Sequence, residues 1–327
     1  MTTRSLLIIG GTGTISFEVV KLAVSRGFDV TILNRGSTSR ELPVGVSTVS
    51  ADVRDASAVR SALSHRSFDI VVDFLAFTPA QVQQDIDLFE GRIGQYVFIS
   101  SASAYQKPPQ RLPITESTPL RNPYWSYSRD KIACEDLLVA AYRDRGFPAT
   151  IVRPSHTYDE RSIPLNGGWT AIDRLRRGAP VILHDHGASL WVLTHSRDFA
   201  LGFVGLLGNQ HAIGEAIHIT SDEVLSWTQI TNALADAAGV TPNIVHVTTD
   251  ALAAADPDAA AGHLGDRSHS VIFDNSKLKA LVPAFVATTT FADGAREILA
   301  WHDANPQSKT IDPELDALFD RLAASAK

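Results

Sequence analysis

Short apolar runs alternate with stretches of helical periodicity through the first half of the chain. Leu6 to Ile9, Asp29 to Leu33, Val46 to Ser50, Ile70 to Phe74, Tyr96 to Ser100 and Ala149 to Val152 read as strands. Most are continuously apolar rather than alternating, which suits a parallel sheet covered on both faces. The pattern predicts helices over about Ile15 to Arg26, Ala56 to Leu63, Pro79 to Phe89 and Tyr127 to Arg145. Gly27 and Gly146 supply stop signals for the first and last of these. Strands joined by crossover helices predict an α/β fold with a doubly wound parallel sheet.

After Arg153-Pro154 the alternation weakens. Pro164, Gly167-Gly168 and Gly178 punctuate loops around a helix from Trp169 to Arg177, which reads as a change of unit. Thr194 to Leu207 and Ala216 to Thr220 regain a helix and a strand. The expected division is therefore discontinuous: residues 1–155, completed by about 192–222, form the sheet unit, while about 156–191 and 223–327 form a smaller α+β substrate unit. The alanine-rich segment Asp250 to Gly262 reads as short helices or a mobile loop without chemical role.

The composition, with 327 residues, 44% hydrophobic and 20% charged, describes a soluble globular protein of roughly two units. Lys and Arg total 29 against 36 acids, a net charge of −7, so no electrostatic footprint for nucleic acid is expected. The most apolar stretch, Phe199 to Leu207, is short and contains Gly202 and Gly205, so no membrane insertion is expected. Cys134 is the single cysteine, read as a small core residue; it excludes an intramolecular disulfide or a Cys-rich zinc site. The apolar run in Met1 to Ile9 is too short for a signal peptide, giving a cytoplasmic expectation. His184-Asp185-His186 reads as a surface loop, with no metal expected.

Four signals carry chemistry. Gly10-Gly11-Thr12-Gly13-Thr14-Ile15-Ser16 lies between a buried strand and a helix. There Gly10 and Gly13 let backbone approach a pyrophosphate and present N–H groups to it. This makes the sheet Rossmann-type, although Ser16 serves close helix packing less well than glycine would. At the end of the next strand stand Asn34 and Arg35, where an acid would repel a 2′-phosphate; the choice tilts toward NADP over NAD. Asp52, before Val53, either accepts from the adenine amino group or caps the helix that follows Asp55.

The third signal is Tyr127 and Lys131, one helical turn apart on one face. A lysine cation beside the phenol, together with an oxidised nicotinamide, favours the phenolate and makes it a useful base. The fourth is the hydroxyl-rich turn Phe98 to Tyr105. Ser101 leaves a strand at its ligand-facing end, able to orient a substrate oxygen, while Ser100 or Ser103 satisfies backbone groups.

In combination these motifs resemble the short-chain dehydrogenase/reductase superfamily, in its extended or atypical branch of NAD-dependent epimerases and dehydratases. The likeness runs through Val72 to Ala76, Val152 to Pro154, Leu193 to Ala200 and Ile272 to Lys277. Asp73 and the Asn34 turn resemble the atypical group that includes chloroplast stem-loop-binding proteins. The resemblance implies that Tyr127 exchanges the proton, Lys131 tunes it and grips ribose, and Ser101 orients substrate. Leu75, Ala76 and the chain after Pro154 would flank the cofactor. It also implies a homodimer through the helices Pro79 to Phe89 and Tyr127 to Arg145, and a strand-to-helix junction ordered by His195.

Nucleotide-sugar members carry an Asn two residues after the Arg-Pro pair and a later diphosphate-gripping Arg. Here those neighbourhoods read Ser155 to Tyr158 and Ser189 to Val192, with Trp191 where a cation is expected. Phe77, Tyr105, Trp125, His156, Tyr158 and Trp191 are the candidate substrate residues, forming an aromatic pocket with a titratable wall. The expected activity is hydride transfer at a carbinol or ketone carbon of a sugar derivative or another small carbonyl compound, as an epimerase, dehydratase or reductase. The alternative is a non-catalytic nucleotide-sensing or RNA-binding protein.

Overall fold

The computed structural model describes residues 3–36 and 40–326, apart from the side chain of Asp258. The start of the Met1 to Ile9 segment therefore lies outside the described residues. The order begins β1 (Ser5–Ile9), α1 (Thr14–Ser25), β2 (Asp29–Asn34), β3 (Ser47–Ser50), α2 (Ala56–Ala62) and β4 (Ile70–Asp73). It continues with α3 (Pro79–Phe89), β5 (Gln95–Ile99), α4 (Ser126–Arg145), β6 (Ala149–Pro154), β7 (His156–Tyr158), α5 (Trp169–Arg176) and β8 (Val181–His184). Next come β9 (Leu190–Trp191), β10 (Leu193–His195), α6 (Ser196–Leu206), β11 (Ala216–Ile219), β12 (Leu225–Ser226), α7 (Trp227–Ala238) and β13 (Ile244–Val247). The chain ends in α8 (Thr249–Ala255), α9 (Pro257–Gly262), a π-helical turn at His263–Arg267, α10 (Ser276–Leu281), α11 (Phe291–Ala304) and α12 (Pro313–Ser325).

Seven strands form one parallel sheet in the order β11-β6-β5-β4-β1-β2-β3. Alternate residues of β1 serve opposite faces. Leu6 and Ile8 pack with Val19, Val20, Phe199 and Phe203 of α1 and α6. Leu7 and Ile9 pack with Val82, Ile86, Cys134 and Leu138 of α3 and α4. Both faces are apolar, which is why the strands read as unbroken runs. Between β1 and β4 the chain order reverses, and the carboxyl ends of these strands open a crevice there.

Local chemistry explains the helix ends. Asp55 accepts from Ser57 N and Ala58 N at 2.9 and 3.0 Å, so it caps α2 and the capping alternative for Asp52 falls away. Gly146 ends α4 at φ 69°, a left-handed conformation that glycine enters without a Cβ clash. The expected helix from Thr194 splits into β10 and α6 because the His195 ring Nδ1 accepts from Arg197 N and caps the helix. In α6, a Cβ on Gly202 would stand 3.1 Å from Ile219 and Phe285, and one on Gly205 only 2.9 Å from Val282 Cγ2. The two glycines in this apolar run therefore let α6 lie close to its neighbours.

The remaining segments are helices around short ladders, β8 with β13, β7 with β10 and β9 with β12. Trp169, Ile172, Trp191, Trp227, Ile230, Phe291 and Ile298 share their core. The alanine-rich stretch forms α8 and α9. His184 departs from the surface-loop expectation: it ends β8, is buried, and lies 2.9 Å through Nε2 from Ser189 Oγ, while Asp185 accepts from Thr249.

One buried ion pair joins α4 to β6. Arg153 Nε donates to Glu135 Oε1 at 3.0 Å and Nη2 to Oε2 at 2.5 Å, and Ser100 Oγ also donates to this carboxylate. Removing one partner strands a charge in the interior. Glu135→Ala is expected to cost about 3–5 kcal/mol in urea unfolding, whereas Glu135→Leu combined with Arg153→Met restores most of that stability.

Candidate active site

A cleft of about 650 Å³ runs along the crevice from Asn34, Arg35 and Asp52 past the glycine turn to Tyr127 and Ser155. Gly10 and Gly11 have φ of 105° and 89°; a Cβ on Gly10 would lie 3.3 Å from Phe74 and Leu75, so the turn tolerates no side chain. Gly13 N donates to Ser16 Oγ at 2.9 Å, giving the serine a turn-fixing role beyond simple packing. Thr12, Ile15, Val53, Leu75 and Phe77 also line this cleft. Two expected cofactor residues do not. Thr14 turns its hydroxyl to Ser162 at 3.2 Å, and Ala76 is buried with its carbonyl committed to Lys131.

Asn34 Oδ1 accepts from Gly36 N at 3.0 Å, tightening the turn that carries the exposed Arg35. Asp52 grips Arg54 through both oxygens, at 3.0 and 2.7 Å, and lies 4.0 Å from Arg35. The bonds from Arg54 hold the Asp52 carboxyl well below its ordinary range. Its charge is thus shared with cations. The cleft accordingly suits an adenine dinucleotide: a side-chain-free turn at a helix N-terminus for the pyrophosphate, and a polar, cation-bearing end for the adenosine ribose.

At the other end of the cleft the first turn of α4 carries Tyr127, enclosed by Trp125 and Phe77, whose ring centroids lie 5.0 and 6.3 Å from its own. Lys131 is buried, and its Nζ donates to Ala76 O and Ile99 O, both at 2.7 Å. Burial pushes the Lys131 ammonium down to about 8. Burial also raises the Tyr127 phenol above its ordinary value, opposed by the Ser101 hydroxyl and reinforced by the Asp266 charge. In the protein alone, therefore, desolvation outweighs the phenolate-favouring effect expected of Lys131, whose Nζ stands 5.9 Å from the Tyr127 ring centroid.

Ser101 Oγ lies 2.9 Å from Ser103 Oγ, which accepts from Ser128 at 2.8 Å. Asn122 Nδ2 reaches Ser128 Oγ at 3.3 Å and Gly265 O at 2.8 Å. Ser100 and Ser103 thus bond side chains, Glu135 and this hydroxyl chain, where backbone partners were expected.

A second cavity, about 490 Å³, adjoins the cleft; Ser101, Tyr127, Pro154, Ser155 and Thr157 line both. Trp125, His156 and Trp191 line it as expected, but His156 is not titratable near neutrality. Its Nδ1 accepts from Trp191 Nε1 at 3.1 Å, and burial with the Arg267 charge pushes the ring down to about 3. Tyr105 and Tyr158 are corrections. Tyr105 is buried with its hydroxyl 3.0 Å from His218 Nδ1, and Tyr158 is buried against His195 and Phe291; neither lines the cavity. Phe77 faces the dinucleotide cleft instead. Sequence reading missed Lys107, Asn166, His263, Asp266 and Arg267, which the tertiary fold brings to this wall. Nothing in their local pattern marked them.

A cleft of this kind at the switch point of a doubly wound sheet defines a dinucleotide-dependent oxidoreductase fold. A model of the NAD dependent epimerase/dehydratase family matches residues 6–220, and the chain belongs to that family, an enzyme family within the short-chain dehydrogenase/reductases. It is 28% identical to 2'-dehydrokanamycin reductase of Streptomyces kanamyceticus, over 86% of this chain and 80% of that protein. It is also 28% identical to the chloroplast stem-loop binding protein of 41 kDa b of Arabidopsis thaliana, over 74% of this chain and 66% of that one. Among solved structures, the epimerase Mth375 of Methanothermobacter thermautotrophicus superposes with TM-score 0.77 at 16% identity, covering 93% of this chain and 94% of the other. Among the described residues no helix is long and apolar enough to cross a membrane.

Lys131 gives the site a pH signature. Its folded form loses a proton near 8, while the unfolded side chain holds one to about its ordinary 10.5. Between these values the unfolded state binds more protons, so stability rises with pH, by up to roughly 1.4 kcal/mol per pH unit. Urea unfolding at pH 7 to 10 should show this rise in the native chain and not in Lys131→Met.

Proposed function

We propose that the chain is an NAD(P)-dependent epimerase, dehydratase or reductase acting on a carbinol or ketone carbon of a sugar derivative or another small carbonyl compound. The observation that carries this reading is the junction of the two cavities at Tyr127 and Ser101. A phenol and a hydroxyl there meet both a dinucleotide in one cavity and a substrate oxygen in the other. When bound, the nicotinamide supplies the hydride acceptor and donor.

The chain's own groups handle the proton and the position. Tyr127 takes the proton from the substrate hydroxyl and returns it to the carbonyl oxygen. Ser101 donates to that oxygen as charge develops on it, held by the hydroxyl chain through Ser103 and Ser128. Lys131 places its cation behind Tyr127 and next to the ribose position. Gly10, Gly11, Thr12 and Gly13 present backbone to the pyrophosphate, while Leu75 and Pro154 close the cleft walls. Residues 1–155 with about 192–222 form the dinucleotide unit, and the rest form the substrate unit beside it.

Arg35, with Arg54 nearby, favours the 2′-phosphate of NADP, and the exposed faces of α3 and α4 serve as the homodimer seam. A stem-loop-binding role, suggested by the name of the Arabidopsis relative, is disfavoured by the net charge of −7 and by the Tyr127, Lys131 and Ser101 arrangement.

Mass spectrometry of nucleotide released from the freshly purified chain, with titration by NADH and NADPH, tests the cofactor reading. Retained or tightly bound nucleotide is expected, with NADPH preferred and the preference reversed in Arg35→Asp; binding of neither overturns the reading. Tyr127→Phe should leave nucleotide affinity within about twofold and lower turnover by about 10²–10⁴-fold. Light scattering should give twice the chain mass of 35.3 kDa.

A further inference from the structure

At the end of the sheet away from the dinucleotide cleft, where β4 and β5 begin, a cavity of about 260 Å³ opens between the closing residues of α2 and α3. Its floor is apolar. Leu63, Phe68, Leu88 and Phe89 belong to the core on this face of the sheet, and Ile93 packs partly buried against them. A void bordered by core side chains leaves their contacts unmade on one side, and an apolar group seated there would extend the core. The cavity shares no lining residue with the dinucleotide cleft or the substrate cavity.

Three arginines stand at its mouth. Arg60, Arg66 and Arg92 all line the cavity and all are exposed. Arg92 Nη1 donates to Leu88 O at 3.1 Å, which holds that guanidinium at the edge. Among the described residues none of the three pairs with a carboxylate, and the acids nearest in the chain are engaged elsewhere: Glu90 by Arg145, Asp87 by Gln83, Asp69 by Ser5 and Asp55 by the start of α2. Helix polarity accounts for one of them only. Arg60 sits in the last turn of α2, where a cation is favoured, whereas Arg66 and Arg92 lie beyond the ends of α2 and α3. In a chain with 36 acids to 29 bases, three unpaired guanidiniums around one apolar opening make a local positive field.

We infer that this cavity binds a small organic anion with an apolar tail, the tail seated on Leu63, Phe68, Leu88 and Phe89 and the anionic head met by the three guanidiniums. At about 30 Å³ for a group the size of water, the space holds roughly nine such groups, which suits a carboxylate of about eight carbons. A volume near the lower bound of small-molecule sites favours a free molecule over a segment of another protein. The site does not depend on the oxidoreductase reading above.

The test uses the full chain with NAD added and sodium octanoate as the probe, followed by calorimetry and by methyl NMR of Leu63, Leu88 and Ile93. Saturable binding that shifts those methyls is expected. From butanoate through hexanoate to octanoate, affinity should rise by about fourfold per methylene, and octylamine, with its charge reversed, should not bind. Converting Arg60, Arg66 and Arg92 together to Gln should weaken octanoate on the order of tenfold and remove the dependence on ionic strength, with NAD affinity unchanged. Ile93→Trp, which puts a larger side chain into the opening, should abolish binding. Absence of saturable binding, shifts confined to the substrate cavity, equal affinity in the triple variant, or no gain from hexanoate to octanoate overturns the proposal. So does release of single chains from a dimer by octanoate in light scattering, because a second copy would then be the occupant. Octanoate binding here in a chain that binds no NAD removes only the oxidoreductase reading, and NAD binding without octanoate binding removes only this site.

Discussion

An ammonium group taken out of water must be met by acceptors, and in this protein that requirement organises the candidate active site. Lys131 Nζ finds two carbonyls, Ala76 O just beyond β4 and Ile99 O at the end of β5. Neither bond carries a countercharge, so the lysine stays responsive to its surroundings and its proton is held less tightly than usual. Mechanically, the same two bonds pin the start of α4 across the carboxyl ends of two strands. Tyr127, one turn earlier, inherits its position from them.

The acceptors are themselves held. Asp73 Oδ1 takes the N–H groups of Leu75 and Ala76, which fixes the turn that presents the Ala76 carbonyl. Behind it lies Asp85, whose carboxyl burial and the Asp73 charge push well above its ordinary range, and Tyr96 donates to it at 2.6 Å. An acid so placed holds its proton more tightly than an exposed carboxyl does. The central strands β4 and β5 and the turn after β4, under the dinucleotide cleft, are thus tied by buried polar contacts.

The substrate side is built differently. Aromatic rings and neutral histidines make its walls, with Trp191 tied to His156 and Trp227 packed against both. Its charged groups arrive from distant positions: Lys107 and Asp266 are 159 residues apart in the chain. The hydroxyl chain from Ser101 to Asn122 ends on Gly265 O, so the serine facing both cavities is coupled to the turn that carries Asp266 and Arg267. The proton-handling end and the substrate-facing turn therefore share one hydrogen-bonded frame.

Sequence alone determined what depends on local period and local turn chemistry. The parallel strands were legible because burial on both faces leaves unbroken apolar runs, and the glycine turn because its backbone excludes a Cβ at Gly10. Tyr127 and Lys131 were legible because a spacing of four sets one helix face. Tertiary structure decided which aromatics meet the cavity and which fill the core. Tyr105 and Tyr158 look the same in sequence as Trp125 and Trp191, yet His218 and Phe291, far along the chain, close over them. It also decided that His156 stays neutral, since burial and the Arg267 charge depress it and Trp191 reaches it from another segment. Burial and charge compensation are sums over neighbours in space, and the order of residues along the chain does not list those neighbours.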